Sequence, residues 1–215
     1  MGASVACGSA SRRADAPDPM SVDDAPSLRE GPPEPEDVVI VLYEPTWPLR
    51  FTEVACELRG ALDGTAERIE HIGSTAVPGL PAKDVIDVQV SVASFEPADA
   101  YDEPLTRLGY ELLPDPDEPQ HRFYRRPSER PRRVNIHVCE CGSAWERRHL
   151  LFRDYLRASP DVRDGYARLK NEMSDRYRTN RYDYTDAKGP FIREVQQTAE
   201  QWAAVSAWSP GPADA

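Results

Sequence analysis

Residues 84–92, DVIDVQVSV, constrain this chain more than any other stretch. Apolar and polar residues alternate and the apolar ones are β-branched, the pattern of a β-strand. In a strand, residues i and i+2 share a face, so Asp87 and Gln89 point one way while Val88 and Val90 face the other. A carboxylate in the middle of an apolar strand is costly unless it is paired, hydrogen-bonded or bound to metal. The fold around this strand must therefore bring a partner to Asp87.

The rest of the chain divides readily. Residues 1–36 are rich in Pro, Ala, Ser, Asp and Glu with almost no large apolar side chains. Such a stretch cannot bury enough surface to offset chain entropy, and it is expected to be a disordered tail, with Met20 an alternative start. Residues 206–215 are also expected to be loose. Between them, 37–205 reads as one domain. The apolar run VVIVLY (38–43) has β character. The spacing of Leu49, Val54, Leu58 and Leu62 predicts a helix over 47–62. Strands are expected at 67–73, 84–92, 110–113, 121–126 and 133–138, with a helix over 98–110 closing at Gly109. From Ser143 to about Ala207 the periodicity is helical, with breaks at Pro160, near Arg181 and at Gly189-Pro190. A mixed sheet followed by helices is an α/β (α+β) chain.

Charge narrows the partners. The net charge is −11, the opposite of what phosphate neutralisation on nucleic acid requires. No apolar run approaches the roughly 20 residues of a membrane span, and no basic-then-apolar leader opens the chain, so a cytoplasmic protein without a membrane partner is expected. Met1-Gly2 carries little weight as a lipidation signal, with nothing else pointing to a membrane. The cysteines, at 7, 56, 139 and 141, form no disulfide framework. Cys139-Glu-Cys141 with His137 and His149 lacks the spacing of a structural zinc site. Of 26 basic residues only Lys83, Lys170 and Lys188 are lysine. An Arg-biased composition explains that, or three sites suit a compact ammonium better than a planar fork.

Just before the key strand, the apolar run ends in Gly73-Ser74-Thr75, within EHIGSTAVPGLPAKDVIDVQV (70–90). Glycine allows a ligand close to the backbone, and turn N–H groups with a Ser hydroxyl make an anion-binding concavity. An ordinary tight turn would look the same in isolation. A Gly-Ser loop beside a strand bearing Asp-x-acid is the arrangement of nucleotidyltransferases, whose loop holds phosphates and whose carboxylates hold Mg²⁺. Here the second acid position is Gln89, a weaker ligand for a hard cation. Asn135 and His137, on one face of the strand at 133–138, complete two alternatives. With Asp87 and Gln89 they hold one divalent ion, or they hydrogen-bond Asp87 in a polar patch.

The stretch HIGSTAVPGLPAKDVIDVQV closely resembles the signature of the GrpB family, as do FRDYLRASPDVRDGYARLKNEM (152–173) and YTDAKGPFIREV (184–195). The resemblance covers about residues 38–204. It implies a nucleotidyltransferase-like mixed sheet with C-terminal helices packed on it. It also implies a nucleotide or phosphorylated ligand, handled either by a metal-dependent transferase or by a catalytically silent binding module. A similar domain occurs fused to dephospho-CoA kinase, but this chain has no Gly-x-x-x-x-Gly-Lys-Ser/Thr loop of its own. On this reading Gly73, Ser74 and Thr75 bind phosphate. Asp87 is the key acid, with Gln89 and His137 around a Mg²⁺ or Mn²⁺ ion, and Lys83 reaches a phosphate. Lys170 and Lys188 fold back over the sheet to close the pocket, Arg122 and Arg125 flank it, and His71 serves as a supporting donor or packs at the strand end. Arg130, Arg132 and Arg133 read as a solvated hairpin.

Overall fold

The structure is a computed structural model describing residues 37–113, 120–126 and 133–213. The expected tail 1–36 lies outside the described residues, as do Arg130 and Arg132. No helix among the described residues is long and apolar enough to cross a membrane.

Among the described residues five strands form one mixed sheet: β1 (Ala66–Ile72), β2 (Ile86–Val92), β3 (Glu111–Leu113), β4 (Arg122–Arg125) and β5 (Val134–Glu140). Their spatial order is β1-β2-β5-β4-β3, with β2 and β5 parallel and every other pair antiparallel. The alternation in β2 sorts the two layers. Val88 and Val90, level with Ile136 and Val138, face α1 (Trp47–Leu62) and α2 (Asp99–Arg107) in a core with Trp47, Leu58 and Leu105. Each of these large side chains is essentially fully buried, worth roughly 1.5–3 kcal/mol apiece.

The opposite face is covered by α3 (Ala144–Ala158), α4 (Pro160–Arg176), α5 (Arg181–Ala187) and α6 (Gly189–Ser206). The breaks between them follow from local chemistry. Ser143 caps α3, accepting from the Glu146 amide at 3.1 Å. Pro160 and Pro190 occupy first-turn positions, where a missing N–H costs nothing. Asn180 caps α5 through the Asp183 amide.

Two expectations change. The run at 38–43 is not a strand of the sheet. It makes one bridge, Val41 with Ala82, and leaves Leu42 79% exposed. Its β-type composition meets no strand edge, only the loop before β2. The chain beyond residue 205 is also tied down, as far as Gly211. Trp208 packs on the helical layer and donates from Nε1 to Asp154, and the Gly211 carbonyl accepts from Arg68 at 2.8 Å. One large aromatic anchors a segment whose neighbours are otherwise small.

A buried ion cluster joins sheet and helices. Glu70 of β1 is fully buried between Arg68 and Arg153, whose Nη1 is 2.6 Å from its carboxylate. Arg153 of α3 also donates to the His71 carbonyl at 3.0 Å and to Asp154 at 2.8 Å. Removing Arg153 takes an arginine partner from the buried Glu70 carboxylate and leaves Arg68 beside it, so Arg153→Ala is expected to lower the unfolding free energy by roughly 1–3 kcal/mol in a urea titration. A loss below about 1 kcal/mol would mean that Glu70 is reached by water or re-paired.

Candidate functional site

The strand register assembles the site. Because β1 and β2 are antiparallel with Ile72 opposite Asp87, the loop leaving β1 begins beside the aspartate. Because β2 and β5 are parallel, Asn135 lies level with Asp87, and His137 one pleat further along the same face. Gly73 turns the chain with φ +72°, and a methyl group there would collide with the Asp87 carboxylate. No other residue type fits this close approach. A single 3₁₀ turn, Ser74–Ala76, follows.

Asp87, with 27% of its side chain exposed, accepts from Asn135 Nδ2 at 2.7 Å and lies 3.6 Å from His137 Nε2. Burial alone would raise its pKa. The His137 contact, the Asn135 bond and the field of Lys83 outweigh that and hold it below the usual carboxylate range. His137 in turn meets His121 at 2.9 Å, inside a stack of His121, Phe123 and Trp145. Behind the loop, His71 stacks on Phe51 of α1 and bonds the Thr75 hydroxyl at 3.0 Å, while Thr75 donates to the Val85 carbonyl. His71 thus fixes the loop from the far side of the sheet.

These residues open on a cavity of about 320 Å³. Ser74, Thr75, Lys83, Asp87, Asn135 and His137 line it from the sheet side; Tyr166, Lys170, Arg181, Tyr184, Thr185 and Lys188 close it from the helices. All three lysines of the chain line this one cavity. Each lies over a tyrosine ring, Lys170 at 4.8 Å from the Tyr166 centroid, and Lys188 and Lys83 at 4.1 and 5.7 Å from that of Tyr184. Lys170 also donates to the Pro81 carbonyl. Burial, then Lys188 and Lys83, push its pKa down to about 7. Burial pushes Lys188 down to about 8, with Asp87 pulling the other way. Tyr166, bonded to Ser74, is raised to about 12, burial leading, and stays protonated.

Three expected residues are not at the cavity. Arg122, level with Val138, faces the α1–α2 layer and lies over the Phe95 ring at 5.2 Å. Arg125, on the site face opposite Asn135, does not line the cavity. Gln89 is fully buried and donates to Ser91, which donates to Glu146. It shares a face with Asp87, as the pleat requires, but α3 covers that position. Arg133, expected on a solvated hairpin, lies 3.6 Å from Asp84. Conversely, Tyr166, Arg181, Tyr184 and Thr185 were not anticipated. Their signal lies in helical spacing, with Tyr166 four residues before Lys170, and Arg181, Tyr184 or Thr185, and Lys188 at i, i+3 or i+4, and i+7.

Residues 37–198 match the GrpB protein family. The chain belongs to the GrpB family. A UPF0157 protein of Halalkalibacterium halodurans is 34% identical over 78% of this chain and 85% of its own length. The crystal structure of the conserved protein GrpB from Enterococcus faecalis matches with TM-score 0.70 and 32% identity, over 76% of this chain and 99% of that one. Dephospho-CoA kinase of Mycobacterium tuberculosis is 32% identical over 80% of this chain, which spans only 48% of that protein. The mixed α/β sheet with its helical layer is thus the GrpB fold.

In this GrpB-family site a divalent ion is poorly accommodated. Among the described residues no three of His, Cys, Asp and Glu converge on one point. Asp87 and His137 supply two protein donors, and only Asp87 is the oxygen donor that a hard cation prefers. The Asn135 amide presents its N–H₂, not its oxygen, to Asp87. Three lysines and Arg181 surround the position with like charge. Gln89→Asp would then bury a second carboxylate beside Glu146. We expect it to lower the melting temperature by several degrees without creating Mn²⁺ affinity in calorimetry. Micromolar Mn²⁺ binding by that variant would restore Gln89 to a metal site.

Proposed function

We propose that the cavity binds a phosphorylated small molecule, a nucleotide or a phosphate ester. One observation carries the reading: every lysine in a protein of net charge −11 faces one cavity, beside a glycine-serine loop. Compact ammonium groups and hydroxyls are the donors a phosphoryl group takes. Tyr166 and Tyr184 hold the ammonium groups in place. The strand carries one acid where a metal-dependent nucleotidyltransferase needs two, which favours a binding module over that enzyme. Dephospho-CoA belongs among the probes because relatives of this domain carry the name dephospho-CoA kinase.

Pyrophosphate, ATP and dephospho-CoA should be screened by thermal unfolding, since a ligand of the folded state raises the transition by mass action. We expect at least one to raise it by several degrees, and Lys188→Ala to abolish the shift while keeping a cooperative transition. No shift with any phosphorylated probe would rule the reading out.

The lysines also fix a pH signature. Their folded pKa values lie below the ordinary 10.5, so the folded state binds fewer protons than the unfolded chain between about pH 7 and 10. Their contribution to stability therefore rises with pH across that window. Anion affinity runs the other way, because Lys170 and Lys188 discharge near pH 7 and 8 while Lys83, Arg181, Asp87 and His137 complete the lining. Sulfate keeps its charge over this range, and its affinity should fall by roughly tenfold between pH 6.5 and 9. Affinity independent of pH would mean that the two lysines stay charged.

A further inference from the structure

The donor count around Asp87 leads beyond the reading just given, on which it rests. We infer that the lysine cluster stands in for a divalent cation, and that Asp87 acts as a hydrogen-bond acceptor selecting ligands that carry a donor beside their phosphoryl group. Lys83, Lys170, Lys188 and Arg181 bring four basic groups to a cavity whose lining holds one acid. That supply is enough to balance a phosphoryl dianion or a pyrophosphate, and it repels a metal ion entering with the ligand.

A carboxylate within such a site works against a fully ionised anion. Asp87 stays ionised because Asn135 and His137 hold Oδ1, which leaves Oδ2 against Gly73. Asn135 Oδ1, buried and without a partner among the described residues, is a second acceptor beside it. An acceptor in a cationic cavity is satisfied by a ligand hydroxyl, amino group or protonated phosphate oxygen, and an amino group has hydrogens for both. A buried acceptor left without one is penalised. The ligand class is therefore a phosphate ester with an adjacent hydroxyl or amine, or a phosphate that retains a proton.

Calorimetry on the full chain separates this from a metal site. Pyrophosphate and sulfate are titrated in EDTA and in Mg²⁺ or Mn²⁺, against the native protein, Asp87→Asn and Lys170→Ala. We expect pyrophosphate to bind in EDTA, with added Mg²⁺ leaving affinity unchanged or lowering it by chelating the probe. Asp87→Asn should bind sulfate about tenfold more tightly than the native protein, because the repelling charge is gone. Lys170→Ala should weaken both anions in EDTA. Binding that appears only with the metal, or a loss of sulfate affinity in Asp87→Asn while Lys170→Ala changes nothing, would overturn the inference and leave the phosphoryl-binding reading intact. Absence of binding in every buffer would overturn both.

Discussion

The whole site depends on a strand register. Antiparallel pairing sets Ile72 opposite Asp87, and parallel pairing sets Asn135 level with it. A shift of β2 by one residue would turn Asp87 into the α1–α2 core among Trp47, Phe51 and Leu58, and put its valines on the cavity face. Burying the valines and partnering the carboxylate are thus one requirement. That explains how a charged residue is tolerated in the central part of the sheet.

The helical layer is the second half of the site rather than a lid added to a finished pocket. Tyr166 and Lys170 of α4, and Arg181, Tyr184 and Thr185 of α5 with Lys188 just after it, form the far wall. The Arg153–Glu70 cluster fixes α3 to β1, and α4 follows α3 across Pro160. Placement of the cavity lysines is therefore coupled to a buried ion pair that does not line the cavity. His71 works similarly, reaching from the Phe51 side to hold Thr75. The loop and the lysines that face it are held by separate structural elements.

Most of the fold could be read from the chain because its signals are local. The alternation of DVIDVQVSV, the spacing across 47–62 and the prolines at 160 and 190 each specify an element without tertiary help. The lysines and the Gly-Ser loop were recognisable as site candidates through chemistry and family resemblance. What could not be read was depth. Gln89 and Asp87 share a face by any pleat argument, yet α3 seals one and leaves the other at the cavity. Arg122 and Arg125 sit on a strand of the right sheet, but pairing with Val138 turns Arg122 to the other layer. The aromatic wall escaped notice because tyrosines at helical spacing look like ordinary core. The segment at 38–43 misled for the opposite reason, since its composition suits a strand, yet it bridges only Ala82 in the loop before β2.

The choice of lysine in an arginine-rich chain now has a physical account. Arginine stays charged in any protein environment, and four guanidinium groups crowded around 320 Å³ would repel one another whenever no anion was present. Lysine can release its proton. Lys170 and Lys188, with pKa values pushed down to about 7 and 8, can shed charge near neutral pH, and on the proposed reading would regain it with an anion bound. The tyrosine rings beneath them suit both states, being apolar enough for the amine and electron-rich enough for the ammonium. A metal ion offers no such adjustment. Its charge is fixed, and Gln89 stands where a second strand carboxylate would help to hold it.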